Sequence, residues 1–212
     1  MEFAKLVELV SAEPVFETGF LLAGNVDPDA VRVQLSRWVK SGRLYQLRRG
    51  LYALAPPFQK VKPHPFLVAN RLAAGSFVSR QSALAHYSLI PEFVPLTTSV
   101  GLARPARWHT PLGAYDLRHI KADLLWGYAR LDLGGGQYAF VATPEKALLD
   151  LLYLQPGADA PDYLRELRLQ NLERLDLEAL ARMAQRAHSP KLERAVAAVR
   201  ELARAEMAYE EL

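Results

Sequence analysis

The sequence contains no cysteine, which excludes disulfide bonds and metal sites built from thiolates. No apolar run approaches the roughly 18 residues of a membrane-spanning helix, and no apolar stretch follows a basic start as in a secretory signal. We therefore expect a cytoplasmic protein. The 212 residues contain no internal repeat, and with 50% hydrophobic and 23% charged residues the chain can bury ordinary globular cores.

Motifs for common catalytic chemistry are also missing. There is no G-x-S-x-G turn to present a nucleophilic serine, and no two histidines have the i, i+4 spacing of a zinc-protease helix. Asp116 and His119 are three apart in a predicted strand, so they point to opposite faces. They belong to a loose group of metal-capable residues that also includes His109, Asp123 and Asp132. We predict no catalytic residue, no metal and no cofactor.

The charge is nearly balanced overall but unevenly distributed. The net charge is +3, too small to mark the whole chain as a polyanion binder. Between Pro28 and Lys60, however, seven basic residues stand against one acidic residue, Asp29; the seven are Arg32, Arg37, Lys40, Arg43, Arg48, Arg49 and Lys60. A local excess of this kind can neutralise phosphates and release their counterions. Many solvated surfaces are also basic, so charge alone does not decide between the two.

A capped amphipathic helix is predicted over residues 28–40. Asp27 can accept hydrogen bonds from the first turn, Pro28 suits the first helical position, and Gly42 follows as a stop. One face is apolar and carries Val31, Leu35, Trp38 and Val39. The residues off this stripe should face solvent or a DNA groove, where arginine at guanine is the commonest specific contact; they are Arg32, Ser36, Arg37 and Lys40.

A basic hairpin follows this helix directly. Two β-prone runs, 44–47 and 51–54, flank a turn of Arg48, Arg49 and Gly50. A helix followed at once by such a hairpin is the back half of a winged helix-turn-helix, in which the helix enters the DNA major groove. Apolar residues at helical spacing over 2–11 and 16–22 complete its three-helix core. We predict this domain over residues 1–60, with DNA contacts from Arg32, Ser36, Arg37, Lys40, Arg48 and Arg49.

Prolines between residues 55 and 65 interrupt the pattern and predict a linker before a second domain over 61–212. This domain has the pattern of a mixed α/β unit that ends in several helices, which makes the whole chain α+β. Its helices are predicted at 65–74, 80–87, 144–154, 161–170, 176–188 and 190–209, and its strands at 77–78, 97–102, 114–120, 124–133 and 137–142.

Three polar segments of the second domain have more than one interpretation. The triple glycine at 134–136 could cradle a phosphate, but no helix start or lysine follows it, so we predict a hairpin turn. Ser79 is predicted to cap the following helix rather than to act as a nucleophile, and Arg80 is the residue there that we expect to be exposed to a partner or ligand. Lys146 and Asp150 fit an i, i+4 salt bridge better than a nuclease site.

Three segments of the chain resemble the AbiEi-type antitoxins of bacterial type IV toxin–antitoxin systems. They are the hairpin run at 42–52, the segment VSRQSALAHY at 78–87, and the segment ATPEKALLDL at 142–151. The first ends in Arg-Arg-Gly-Leu-Tyr, the second contains Ser-Arg-x-Ser-Ala-Leu, and the two occur in the family's order and spacing. Beyond residue 151 the chain resembles the family only in being helical.

The resemblance implies a function in abortive infection, a defence against phage. Family members bind inverted repeats in their own promoter through the winged helix-turn-helix, and the C-terminal domain counteracts a nucleotidyltransferase-like toxin without necessarily forming a stable complex with it. A dimer on DNA would match a palindromic operator. The DNA role then falls on Arg32, Ser36, Arg37, Arg48 and Arg49. Two alternatives remain: a solitary regulator whose second domain binds a ligand or protein, and a nuclease or hydrolase that docks through the wing.

Overall fold

Two sheets organise the computed structural model, which describes residues 1–22, 26–91 and 95–210. In the winged-helix module (residues 3–54), two helices and a 3₁₀ turn pack on an antiparallel sheet of order β1-β3-β2. In the α/β module (residues 65–210), a larger mixed sheet is combined with helices, several of which follow it in the chain. The predicted α+β class, with an N-terminal winged helix-turn-helix, is confirmed.

Local signals define the elements of the winged-helix module. The Asp27 side chain accepts a hydrogen bond from the Asp29 N–H at 3.0 Å, and Pro28 occupies the first helical position of α2. After α2 the chain reverses at Gly42, whose φ of +70° favours glycine. The elements are α1 (Phe3–Val10), β1 (Phe16–Glu17), the 3₁₀ turn (Thr18–Leu22), α2 (Pro28–Lys40), β2 (Leu44–Arg48) and β3 (Leu51–Leu54).

The second helix predicted for this module, over 16–22, is only partly present. Phe16 lies instead in β1, where it pairs with Tyr52 and stacks on its ring at a centroid distance of 5.9 Å. A 3₁₀ turn then begins at Thr18, whose N–H donates to the Gly50 carbonyl at 2.9 Å. Thr18 and Gly50 are 32 positions apart. Local spacing of apolar residues could not reveal contacts over such a separation.

The α/β module contains six described strands in the order β6-β7-β5-β4-β9-β8. The pairs β4–β9 and β5–β7 are parallel and the others antiparallel. No helix in the described residues is both long and apolar enough to cross a membrane. The elements are α3 (Pro65–Leu72), β4 (Phe77–Val78), α4 (Gln81–His86), β5 (Leu96–Gly101), β6 (Ala106–Thr110), β7 (Gly113–His119), β8 (Tyr128–Asp132), β9 (Tyr138–Ala142), α5 (Pro144–Leu154), α6 (Pro161–Glu166), α7 (Leu177–Arg186) and α8 (Pro190–Glu210).

Several element bounds differ from the prediction. Strand β6 was not predicted, yet it pairs with β7 along its whole length. The strand predicted at 124–133 begins only at Tyr128, because a 3₁₀ turn (Ala122–Leu124) and Gly127, with φ +74°, precede it. Helix α6 ends at Glu166 rather than at 170. In each case the element is short, so its bounds depend on what it packs against more than on propensity.

The triple glycine forms the hairpin turn between β8 and β9, as we predict. Residues 134, 135 and 136 have φ values of +78°, +58° and +74°, a run of left-handed backbone that favours glycine at each position. The Gly134 N–H donates to an Asp132 carboxylate oxygen at 2.8 Å, and the Gln137 N–H donates to the Gly134 carbonyl at 3.0 Å. These bonds close the turn within the chain itself.

Strand β3 of the wing hairpin is buried on both faces. Tyr52 and Leu54 of β3 pack with α1 and α2, whereas Leu51 and Ala53, which point to the opposite face, join the core of the α/β module. All four residues of β3 are therefore buried. The two modules share an apolar contact through this sheet, and the boundary predicted at residue 60 stays a prediction.

Candidate nucleic-acid interface

Helix α2 presents a polar side away from the protein. Its apolar stripe is covered by the rest of the winged-helix module, so that Val31, Leu35 and Trp38 are buried. The side chains that we predict to contact DNA from this helix are all exposed: Arg32, Ser36, Arg37 and Lys40. A helix with a free basic side of this kind can enter a major groove, which is about 12 Å wide.

Two neighbours modify the chemistry of this side of α2. Arg32 NH1 lies 2.6 Å from Asp29 Oδ1, but the two side chains are 63% and 84% exposed. Such a surface pair contributes little stability, so Arg32 can exchange Asp29 for a phosphate or a base. Val33 is 51% exposed beside it, and an apolar side chain there suits the methyl group of thymine. Val33 is not among the predicted DNA contacts, although the sequence places it off the apolar stripe of the helix.

Arg48 has a different position from the one predicted. Its Nε donates to the Leu72 carbonyl and its NH2 to the Arg71 carbonyl, both at 3.1 Å. These carbonyls belong to the last turn of α3, where helix geometry leaves them without partners and a cation is favourable. NH2 also lies 3.5 Å from Glu17 Oε1. The Arg48 guanidinium thus holds the wing against α3, and its predicted contact with DNA stays a prediction.

The wing itself is short. Arg49 and Gly50 alone separate β2 from β3, and Gly50 turns the chain with φ +82°. The Gly50 carbonyl accepts the N–H of Thr18, which ties the tip to the 3₁₀ turn. Arg49 is exposed. Of the two wing arginines, Arg49 is therefore the one whose charged group is available to a phosphate.

Arg80 is largely buried, although we expect it to be exposed. Its side chain is 11% exposed, and NH1 donates to Asp116 Oδ2 at 2.9 Å. Its backbone has φ +61°, which is unusual for a residue with a side chain. The ion pair compensates the burial of both charges. The structure therefore places Arg80 behind the surface, and a direct contact to a partner or ligand stays untested.

Asp116 is the centre of a cluster of three arginines. Besides Arg80, it accepts hydrogen bonds from Arg107 Nε at 2.8 Å and from Arg118 Nε at 3.0 Å. Burial by itself raises the pKa of Asp116, but the hydrogen bonds from Arg107, Arg80 and Arg118 outweigh it and hold that pKa below its ordinary value. Asp116 is therefore a charged carboxylate whose oxygens are occupied by guanidinium groups.

The residues considered as metal ligands do not converge. His119 points away from Asp116, and its Nδ1 lies 3.1 Å from the Leu102 carbonyl. Asp132 accepts the N–H of Gly134 in the hairpin turn. Among the described residues, no three His, Cys, Asp or Glu side chains are grouped so that they could hold a metal ion.

A second polar cluster is sealed inside the α/β module. Lys146 and Asp150 form the predicted salt bridge along α5, and both are almost fully buried, at 0% and 1% exposure. Ser79 Oγ donates to Asp150 Oδ2 at 2.7 Å, so Ser79 is not the cap of α4 that we predict. Burial lowers the pKa of Lys146, against the opposing effect of Asp150, and raises the pKa of Asp150. With no exposed atom to offer a substrate, the cluster joins β4 to α5.

The sequence of the winged-helix module matches the model of a known protein family. Residues 5–55 match the model of a family described as "Transcriptional regulator, AbiEi antitoxin". The matched segment runs from α1 to the end of β3 and covers about a quarter of the chain. Comparison with curated proteins gives no match. The winged-helix module of this chain is therefore similar to the AbiEi antitoxin family of transcriptional regulators, which supports the resemblance seen in the sequence.

Proposed function

We propose that the chain represses transcription of its own operon by inserting α2 into the major groove of an inverted repeat in the promoter. The observation that carries this proposal is the exposed basic side of α2, opposite a buried stripe, within the module that matches the AbiEi family. Arg32, Ser36 and Arg37 are assigned to base edges, and Lys40 with Arg49 to phosphates. A dimer would place two copies of α2 on the two half-sites.

The test is fluorescence anisotropy with the DNA just upstream of the gene, beside a scrambled duplex, at several salt concentrations. A repressor of this kind binds its own upstream DNA more tightly, and both affinities fall as salt rises. Arg32→Ala and Arg37→Ala are each expected to reduce the difference in binding free energy between the upstream and the scrambled duplex by about 1–3 kcal/mol. If neither change affects binding in a folded protein, α2 is not the reading element.

Base contacts and phosphate contacts can be separated with a matched variant. Lys40→Ala removes one charge near the end of the same helix, as Arg37→Ala does, but Lys40 is assigned to a phosphate. It should weaken binding to both duplexes alike and reduce the salt slope by about 0.9. A change of sequence preference in Lys40→Ala would show that the assignment along α2 is shifted.

We further propose that the α/β module counteracts a nucleotidyltransferase-like toxin, as part of a type IV system that acts in abortive infection and phage defence. The support is the family description of the winged-helix module, together with the sequence segments at 78–87 and 142–151 that resemble AbiEi-type antitoxins. Co-expression with the product of a neighbouring nucleotidyltransferase gene is the test. Rescue of growth by the full chain would support the antitoxin role, and Arg37→Ala, which is expected to weaken only the preference for the upstream DNA, is the control.

A solitary regulator predicts a different result. In that case no toxin gene lies beside this one, and the full chain does not relieve toxicity although it still binds its upstream DNA. An enzyme that docks through the wing predicts turnover that is lost when the wing is changed. Neither alternative has a specific observation in its favour among the described residues, where the buried Lys146–Asp150 pair has no access to solvent.

A further inference from the structure

The arginines around Asp116 form a charged surface that repression by α2 does not explain. Arg107 pairs with Asp116 across β6 and β7, and Arg118 follows Asp116 by two positions, so all three side chains leave the same face of the sheet. The largely buried Arg80 side chain also donates to Asp116. Three guanidinium groups around one carboxylate leave the cluster with two net positive charges.

The geometry of the hydrogen bonds determines which donors remain. Arg107 and Arg118 each reach Asp116 through Nε. Their terminal nitrogens donate to none of the described residues, and the two side chains are 62% and 45% exposed. A guanidinium whose Nε is anchored still has its NH1 and NH2 groups to bind a phosphate. Because Asp116 already orders both side chains, binding costs less conformational entropy than it would for free surface arginines.

The cluster lies close to the DNA-binding module. Strand β6 is the edge of the large sheet and β2 is the edge of the wing sheet, and the two strands lie side by side with Cα atoms within 8 Å of one another. Strand β2 in turn follows α2 after the turn at Gly42. The strand that carries Arg107 therefore lies next to the strand that follows α2.

The segment of the chain that contains Arg107 and Arg118 is mostly basic. Between residues 102 and 121 the chain has four arginine or lysine residues and one acidic residue, Asp116, which is buried. Arg104 and Lys121, the other two cations, are exposed. Such a field attracts a polyanion and repels basic protein surfaces.

We propose that Arg107 and Arg118 form a phosphate-binding pair that holds the backbone of the same DNA duplex whose groove receives α2. This inference rests on the proposed function, since it assigns a second contact to the same DNA. The pair adds affinity without sequence preference, because phosphates carry no direct base information. Asp116 is a positioning residue, which fixes the two guanidinium groups and does not touch the DNA.

The experiment compares the wild type with Arg107→Ala/Arg118→Ala by anisotropy on the upstream duplex and a scrambled duplex over a salt series. The double variant should reduce the slope of log K against log salt by about 1.8, and a single Arg107→Ala by about 0.9. The ratio of affinities for the two duplexes should stay at the wild-type value. Arg107→Lys/Arg118→Lys keeps the charges and should keep most of the slope.

A matched control removes the same charge elsewhere. Arg165 and Arg174 are also exposed and also paired with carboxylates, at 3.1 and 3.7 Å, but they lie in the C-terminal helical part of the α/β module. Arg165→Ala/Arg174→Ala should leave the slope unchanged. Thermal unfolding of each variant shows whether it is folded, so that a lost DNA contact is distinguished from a lost fold. The single variant Arg107→Ala changes only one residue on an edge strand and serves the same purpose.

The outcomes distinguish the phosphate pair from the proposed function. If the wild type prefers its upstream DNA but Arg107→Ala/Arg118→Ala keeps the wild-type slope, the pair is overturned and repression through α2 stands. If the wild type binds neither duplex at low salt, the proposed function fails and the pair fails with it. If the double variant loses affinity only for a single-stranded RNA of the same length, the phosphate comes from RNA and the assignment to the operator duplex is overturned.

Discussion

Replacing Asp150 with leucine while Lys146 is kept is expected to destabilise the protein strongly. The Lys146 ammonium is completely buried and has the Asp150 carboxylate as its ion-pair partner. The other groups near it are the rings of Trp126 and Phe77, at 5.0 and 5.4 Å from Nζ. Without the carboxylate, an uncompensated charge stays in the core, which costs about 3–5 kcal/mol. Lys146→Met should cost a similar amount, because the Ser79 hydroxyl is then the remaining side-chain hydrogen-bond donor to Asp150 among the described residues.

Changing both residues should reverse most of this loss. In the double variant Lys146→Met/Asp150→Leu no charge is buried, and replacing a buried ion pair by apolar residues is often neutral or stabilising by about 1–4 kcal/mol. The two positions should therefore show a coupling energy of several kcal/mol, far above the additive limit of about 0.3–0.5 kcal/mol for independent sites.

Equilibrium urea unfolding at pH 7, followed by far-ultraviolet circular dichroism, measures the free energy of unfolding of the four proteins in this cycle. A cycle on Asp162 and Arg165, an exposed i, i+3 pair, is the control and should give a coupling below about 1 kcal/mol. Two results would contradict the mutual stabilisation of Lys146 and Asp150. One is a loss of less than about 1 kcal/mol of unfolding free energy in the single variants, and the other is a loss in the double variant equal to the sum of the two single losses.

Three further predictions concern the junction of the modules and the arginine cluster. Arg48→Ala should lower the melting temperature and leave the salt slope of DNA binding unchanged, whereas Arg49→Ala should reduce the slope by about 0.9 with an unchanged melting temperature. Leu51→Ala, at a fully buried position between the modules, should cost about 2–5 kcal/mol, and limited proteolysis near residue 60 should become faster; unchanged cleavage would contradict the shared core. The pKa of Asp116 lies below its ordinary value of 3.8 in the folded protein, so its contribution to stability is complete well above that ordinary value and is lost as pH falls through the lower pKa of the folded state. Asp116→Asn should therefore make the melting temperature depend less on pH between about 2 and 4, and a wild-type pH dependence in this variant would contradict the cluster.

The sequence by itself determined the elements whose capping, turn and patterning residues lie close together in the chain. For α2, the cap at Asp27, the proline at position 28, the apolar stripe and the stop at Gly42 are all contained in sixteen consecutive residues, 27–42, and the helix occurs where they predict it. The hairpin of β2 and β3 and the triple-glycine turn are local in the same sense. The backbone hydrogen bonds of such elements join residues that are close together in the chain.

Tertiary structure decided where the charged side chains go. Arg48 and Arg49 are adjacent in the sequence and chemically identical, yet one bonds the end of α3, 24 positions away at Leu72, and the other faces solvent. Arg80 is buried because Asp116, 36 positions away, lies opposite it. A long basic side chain can reach several positions, and its final position depends on partners such as a buried carboxylate or the unpaired carbonyls at a helix end. Sequence alone therefore located the helix that we propose to read DNA, and only packing between distant segments showed which arginine side chains are exposed.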